Sequence, residues 1–561
     1  MSRKLKIYLL IAFSFLFSIF LLSCNHTHYY YSKTVIEEPT CSSTGKAYLV
    51  CDCGDAIEEI LPALSHDFED ATCTLPKTCK VCHATEGEAN GHTEQATTCN
   101  GTECSVCKAV IKEPNHELSF ISETASTLLT EGKRVEKCTI CDVEVTTTLD
   151  VIDPLTLDMP VVYLSDYLEG QTPITQLTKS KGYISVKYKY VSNDPSIESF
   201  DCYSQIKVQG HSSSNFPKKN FTVKFYKDDT FESKFKVNFG WGKESKYCMK
   251  ANWIDSSYVR NIVGAQIFSQ MVETREDANS MLLNAPNNGV IDGYPILVYV
   301  NGEFHGVYTM NIPKDEWAFA MTEEPTTKEA MLMSKGWLDS NKLLSPIGAN
   351  ERENWEIEYC STEDTAWVFE SFNELVELIN CGDNERIKEE LPNHLDINAA
   401  IDNFIFTYFI NAADNTGKNI LWITYDGKVW IPSMYDMDGT FGAYPDGRPI
   451  GDEYPIYPQI WGDGGWYTPQ CKLYSVLVGC YSDQMLARYK FLRQEILTIE
   501  NVEAHFEAIF ALIPEQAREA DQEKWPKIPY YNENLENIYS STENQIARLD
   551  NFFNRFFLLK K

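Results

Sequence analysis

The sequence predicts a mixed α+β fold: a two-lobed body from about residue 156 to the C-terminus, preceded by an array of small Cys/His modules. Three observations predict it. Eleven of the 18 cysteines fall between Cys41 and Cys141, and they recur there with histidines. Strand patterns dominate from Tyr203 to Asn311, with one helical stretch among them. Helical periodicity then dominates from Val368 onward, interrupted by a hairpin. With 43% apolar residues the chain can build the cores of two or three domains.

The N-terminus sets the expected compartment. Arg3, Lys4 and Lys6 precede a mostly apolar run, Ile7 to Leu22, which is short for a membrane span and right for a signal peptide. Leu21-Leu22-Ser23-Cys24 resembles a bacterial lipobox, so residues 1–23 are expected to be a lipoprotein signal peptide. Cys24 is then the lipidated residue and 24–40 a tether, which places the body on the extracellular side of a bacterial cell membrane. An uncleaved anchor is the alternative. The formal charge is −31, and −34 once the three signal-peptide cations are gone. Such a body repels nucleic acid and anionic lipid, and favours a basic protein, a neutral coat component or a glycan as partner.

Residues 41–150 repeat. The units read Cys41, Cys51, Cys53, His66; then Cys73, Cys79, Cys82, His92; then Cys99, Cys104, Cys107, His116; and last a reduced unit with Cys138 and Cys141. A period of 25 to 34 residues means a string of beads, each too short to bury a core without a staple. Three Cys and one His per unit match a structural Zn2+ site, and an odd cysteine number argues against purely internal disulfides. Disulfides stay open as the rival, because exported cysteines usually pair. His83 follows Cys79-x2-Cys82 as in a haem c attachment site, but the sister units carry Lys108 and Asp142 there, so it reads as incidental. The modules resemble Cys-rich repeats of bacterial surface proteins, which implies spacers or adhesion beads.

In the first lobe, Tyr203–Val208 and Phe221–Tyr226 alternate like strands and bracket Gly210-His211-Ser212-Ser213-Ser214, then Pro217-Lys218-Lys219. A small-residue loop between strands offers backbone amides to a polyphosphate, with Ser212 and Ser213 as candidate contacts. Lys219, at the loop exit, and Lys224, on the strand face of Thr222, are both candidates for the phosphate lysine. Lys246–Trp253 is a third strand, Ser256–Met271 a helix with serine caps, and Tyr294–Val300 and Val307–Asn311 are joined across Asn301-Gly302. This is the layout of a kinase N-lobe, with a purine-reading hinge expected near Ile312-Pro313.

In the second lobe, Val368, Phe372, Leu375, Val376 and Ile379 form an apolar core stripe. Asp396 caps a helix carrying Ile397, Ile401, Phe404, Ile405, Tyr408 and Phe409 that should end near Asn411. Asp414 follows, then Asn419, a hairpin turning at Asp426-Gly427, and Asp436-Met437-Asp438-Gly439. Helix, Asp-x4-Asn loop, hairpin and Asp follow one another as in the catalytic half of a protein kinase. Phosphoryl transfer needs a carboxylate to orient the acceptor hydroxyl and oxygen ligands for Mg2+ on the phosphates. Asp414 suits the first role; Asn419 and Asp436, with Asp438 as the second member of the pair, suit the other. Read singly, these residues are ordinary turn formers, so the weight rests on their order. Ala443–Trp466 is expected to shape the acceptor groove, and Asp483–Ile513 and Asn534–Leu559 to close the lobe as helices. Cys202, Cys248, Cys360, Cys381, Cys471 and Cys480 lack metal-ligand spacing and are expected buried or paired.

VQGHSSSNFPKKNFTVKF, ANWIDSSYVRN, VYVNGEFHGVYT, NAADNTGKN and YDMDGTFG together resemble the successive motifs of the spore coat protein H (CotH) kinase-like family. The resemblance implies an atypical protein-kinase-like fold and ATP- and Mg2+-dependent phosphorylation of Ser or Thr on a secreted, coat or cell-surface protein. It makes Asp414 the catalytic-loop aspartate, places Asn419 in the family's Lys-Asn pair and makes Asp436 the metal aspartate. Gln209, His211, Ile312 and Ser433-Met434-Tyr435 depart from the family's usual residues. Two function classes follow: a surface-tethered kinase, or a non-catalytic, pseudokinase-like adhesion or coat-organising protein.

Overall fold

The structure, a computed structural model, describes residues 27–321, 327–450, 471–526 and 535–558. The chain divides into two compact units, one running to Ser122 and taking in Arg134–Thr147, the other comprising Glu123–Lys133 and everything from Thr148. The signal peptide and Cys24 lie outside the described residues.

The first unit holds four three-stranded sheets in succession: β1 (Ser32–Glu37), β2 (Gly45–Val50) and β3 (Ala56–Leu61); β4 (Phe68–Glu69), β5 (Lys77–Cys79) and β6 (Thr85–Glu86); β7 (Glu94–Ala96), β8 (Thr102–Cys104) and β9 (Val110–Lys112); β10 (Leu118–Thr124), β11 (Gly132–Cys138) and β12 (Glu144–Leu149). The last of these straddles the boundary between the units. Residues 32–37, read from the sequence as tether, form the first strand. The strands are short and mostly exposed. What they bury is largely sulfur: Cys41, Cys51, Cys73, Cys79, Cys99, Cys104 and Cys138, with Ala47 almost the sole aliphatic.

The second unit begins with a closed barrel. Its strands are β13 (Val161–Ser165), β14 (Ile184–Val191), β15 (Phe200–Gln209), β16 (Asn220–Tyr226), β19 (Lys246–Lys250), β20 (Gly293–Val300) and β21 (Glu303–Asn311); a minor pair, β17 (Val237–Asn238) and β18 (Lys243–Glu244), sits outside it. The order is β13-β14-β15-β16-β19-β21-β20, and β20 closes the ring by pairing parallel to β13. Period-two alternation builds the interior: along β14, Ile184, Val186, Tyr188 and Tyr190 are buried. Asn301 and Gly302, both at positive φ, turn β20 into β21. Helix α1 (Arg260–Glu273) starts later than the serines predict, because the Asp255 carboxylate accepts the Arg260 amide at 2.8 Å and takes over the capping role.

A four-stranded sheet follows, ordered β23-β22-β24-β25, from β22 (Ala330–Ser334), β23 (Trp355–Cys360), β24 (Ile420–Thr424) and β25 (Ile431–Met434). Around it lie α2 (Ala366–Ile379), α3 (Asn384–Glu390), α4 (Ile397–Phe409), α5 (Lys472–Cys480), α6 (Ser482–Glu495), α7 (Ile499–Phe510), α8 (Glu515–Lys524) and α9 (Leu535–Leu558). The Asp396 side chain caps α4 through the Ala399 amide at 2.8 Å, and the α2 stripe is buried as core. Helix α8 returns to the barrel. Asp521 accepts from the Lys218 ammonium at 2.8 Å and the Val307 amide at 2.8 Å, with both charged side chains fully buried. A Cβ on Gly306 would stand 2.5 Å from that carboxylate, so only glycine admits the approach. The later cysteines are free thiols; Cys202, Cys248 and Cys471 are buried, but Cys381 is exposed, because it sits in the short α2–α3 turn.

Candidate active site

A cleft of about 820 Å3 is lined by the β15–β16 loop, β16, β19, the start of α1, the segment after β21, the α4–β24 loop and the loop after β25. Gln209, Gly210, His211, Ser212 and Ser213 form one wall, and Asp414, Asn419, Asp436 and Asp438 line the same space. Residues more than 200 positions apart in the sequence thus face one cavity.

The acidic side is strained and crowded. Asn419 and Asp436 adopt φ of 58° and 57°, left-handed conformations that cost non-glycine residues and cluster at functional sites. The Asn415 side-chain amide donates to the Tyr435 carbonyl at 2.8 Å, tying the Asp414 loop to the Asp436 loop. Burial holds the Asp414 carboxyl above the usual range; Lys418, donating to it at 3.2 Å, opposes this, and Asp436 adds to it. Asp438 is raised further, by burial, then by Asp436 and Asp255.

The opposite walls are basic. Nine lysines line the cleft of a chain whose net charge is −31, against five carboxylates. Lys224 stands 4.7 Å over the Tyr183 ring, with Lys207 at 4.9 Å. Burial, then Lys246, Lys207 and Lys234, depress its ammonium, a strain that a bound polyanion relieves. Lys219 instead donates to the Ser214 carbonyl at 2.8 Å and holds its own loop; it is not among the residues lining the cleft. Lys250 is the residue that sequence reading passed over. It ends β19 and lies 5.7 Å over the Tyr435 ring; burial disfavours its charge, but Tyr435, Asp436 and Asp438 outweigh burial and raise it. Its signal was a lysine at the end of an otherwise buried strand, Tyr247-Cys248-Met249.

Helix α1 positions the Asp436–Gly439 loop. Arg260, fully buried, bonds Asp255 at 2.6 Å and donates through Nε to the Thr440 carbonyl at 2.9 Å. Asn261 Oδ1 accepts the Met437 amide at 2.6 Å. Asp436-Met437-Asp438-Gly439 is therefore held from both sides by the Asp255–Asn261 segment.

A family model described as CotH kinase protein matches residues 206–555, more than half of the chain. The chain belongs to the CotH kinase family. The CotH match begins inside β15 and ends in α9, so it covers the cleft from Gln209 to Asp438 and leaves the repeats and the strands β13 and β14 outside. Comparison with curated proteins returns no match. A kinase-like family implies a nucleotide and a divalent metal, and the cleft fits Mg2+: Asp436 and Asp438 bring two carboxyls into it, Asp438 is held high by burial and then by Asp436, and Asn419 adds an amide oxygen. Among the described residues the compact Cys, His, Asp and Glu groups all lie between His28 and Cys141. The cleft carboxylates are an open set, as suits an ion that keeps waters and phosphate oxygens as ligands. Gln209 Oε1 is buried at this wall without a hydrogen-bond partner.

The repeat ligands group differently from the sequence units. Cys41 and His66 meet Cys79 and Cys82; Cys73 and His92 meet Cys104 and Cys107; Cys99 and His116 meet Cys138 and Cys141. Cys51 and Cys53 meet His28. The expected sets within single units are therefore corrected. In each of the first three sheets the lone cysteine lies before the middle strand and the cysteine pair starts at its last residue or just beyond it, so a strand's length separates them. His83 sits at φ 58°, matching Lys108 at 64° and Asp142 at 60°, so it takes the same left-handed position after the pair as its counterparts.

Proposed function

We propose that this chain is a surface-tethered atypical protein kinase that transfers phosphate from ATP to Ser or Thr of a secreted, coat or cell-surface protein. One observation carries the reading: Asp414, Asn419, Asp436 and Asp438 line one lysine-rich cleft between the barrel and the helical sheet, the arrangement of a two-lobed kinase. Lys224, Lys250 and the amides of the Gly210–Ser213 loop offset phosphate charge. Pro313, at the exit from β21, borders the purine end. Mg2+ on Asn419, Asp436 and Asp438 would neutralise charge on the phosphates. Asp414 orients the acceptor hydroxyl and takes its proton; its raised basicity suits this, and Lys418 opposes part of the rise. The lipobox-like Cys24 supplies the tether to the outer face of the membrane, and the repeats a spacer.

The test pairs binding with transfer. ATP and Mg2+ at 100 times Kd should stabilise the intact chain by about 2.7 kcal/mol. Asp414→Asn should keep that shift and lose labelling from radioactive ATP, because the carboxylate acts chiefly in the transition state. Equal labelling by both proteins would remove Asp414 from its role. A shift without labelling in either would favour the non-catalytic, pseudokinase-like alternative, and no shift would end the kinase reading.

A further inference from the structure

We propose that three Zn2+ ions rivet successive repeats together, each ion bound by a cysteine and a histidine of one repeat and by the Cys-x2-Cys pair of the next. The ligand sets are Cys41, His66, Cys79 and Cys82; Cys73, His92, Cys104 and Cys107; and Cys99, His116, Cys138 and Cys141, with the ligand atoms of each set within 4.8 Å of one another.

The distances are those of tetrahedral edges. Zn–S bonds of about 2.3 Å in a tetrahedron place sulfurs about 3.7 Å apart. The lone cysteine and the first thiol of the pair stand at 3.8, 3.6 and 3.5 Å in the three sets. The histidine presents Nδ1 to the second thiol at 3.3, 3.4 and 3.4 Å. The same four-ligand geometry thus recurs three times along the array. A disulfide needs sulfurs at about 2.05 Å and would leave a thiol and an imidazole of each set without a role.

The local fold prepares the pair. In each Cys-x2-Cys turn the following residue is left-handed, and its amide bonds the first cysteine's carbonyl: His83 to Cys79 at 3.0 Å, Lys108 to Cys104 at 2.9 Å, Asp142 to Cys138 at 3.1 Å. Both thiols are thereby turned to one side, toward the preceding repeat. The Ile140 amide also points at Cys138 Sγ at 3.4 Å, a contact that favours thiolate. The reduced last unit is thus complete in function: it supplies the pair that closes the third site. His28, Cys51 and Cys53 form a three-ligand group at the other end.

Each ion is at once the core of a module that buries almost no aliphatic side chain and the bond to its neighbour. Metal loss at one site therefore loosens a joint and two modules together, as in nearest-neighbour repeat arrays.

Zinc counting on the intact chain, reduced and dialysed, decides the connectivity. Cys73→Ser with Cys104→Ser falls within one bridging site and should lose one equivalent relative to wild type. Cys73→Ser with Cys79→Ser falls in two sites and should lose two. The reverse pattern would establish one site per repeat and overturn the proposal, as would a reduced wild type without zinc. A second measurement needs no variant: wild type stripped with EDTA, oxidised with diamide and mapped by mass spectrometry should show Cys41–Cys79, Cys73–Cys104 and Cys99–Cys138. Bridges from Cys41, Cys73 or Cys99 to the cysteine pair of its own repeat would overturn it.

Discussion

Replacing Arg260 by leucine tests how the acidic loop is held. The guanidinium is fully buried, as is its partner Asp255, and it also donates to the Thr440 carbonyl. Removing it leaves a buried carboxylate without its cation, a loss of about 3–5 kcal/mol. That is a large part of a typical domain's total stability of about 5–15 kcal/mol. Asp255→Asn in the Arg260→Leu background removes the stranded charge, so the double variant should recover part of the loss. Urea denaturation of all four proteins, followed by tryptophan fluorescence, closes the cycle and gives the coupling. A loss under about 1 kcal/mol for Arg260→Leu, or losses that simply add, would refute the account. The same variant should weaken Mg2+-dependent nucleotide binding, because Asp436 and Asp438 ride on the loop that Arg260 anchors.

Asp436→Ala should abolish Mg2+-dependent nucleotide binding in a calorimetric titration; if Asp438→Ala does so and Asp436→Ala does not, the metal aspartate is the other member of the pair. Asp438→Asn should stabilise the metal-free chain at neutral pH. Its carboxyl is held well above the ordinary value, so the cost of ionising it is absent below the usual carboxylate range and full above the raised value. The melting temperatures of variant and wild type should therefore converge on acidification, and a variant less stable than wild type at neutral pH would contradict the assignment. Lys250→Met should weaken binding of ATP with Mg2+ by about 1.5–3 kcal/mol, tenfold or more in Kd, with little effect from Lys219→Met; the opposite ranking would return the phosphate contact to the loop exit.

The stretch from Asp396 to Asp438 was legible because local signals are strong there: Asp396 caps its helix, Asp426-Gly427 turns its hairpin, and Asp414, Asn419 and Asp436 come to line one cleft. The barrel was half legible. The alternation of β15, β16, β20 and β21 read clearly, but closure depends on β13 pairing with β20 across more than 130 residues, and no local pattern encodes a ring. Lys250 was missed because a lysine in a strand reads as a solvated face residue until the acids opposite it are known. The repeats failed differently. Most of the grouped Cys and His residues were read as candidates, but His28 was missed, Cys138 and Cys141 were left as a reduced unit, and sequence proximity grouped the rest by unit, whereas the direction of a strand sends the two ends of a unit to different partners.

The contact between Lys218 and Asp521 spans 303 residues and has a consequence for the order of folding. The Gly210–Ser214 loop is synthesised early, yet the Lys218 ammonium that follows it has no counter-charge until α8 has been made. Until then, burying Lys218 is unfavourable by several kcal/mol, so the barrel stays loose at this edge while the rest of the chain emerges. A nascent or truncated chain ending before Asp521 is thus kept from a finished, rigid cleft. Completion of the polypeptide supplies the counter-charge that lets this wall of the cleft close over Lys218.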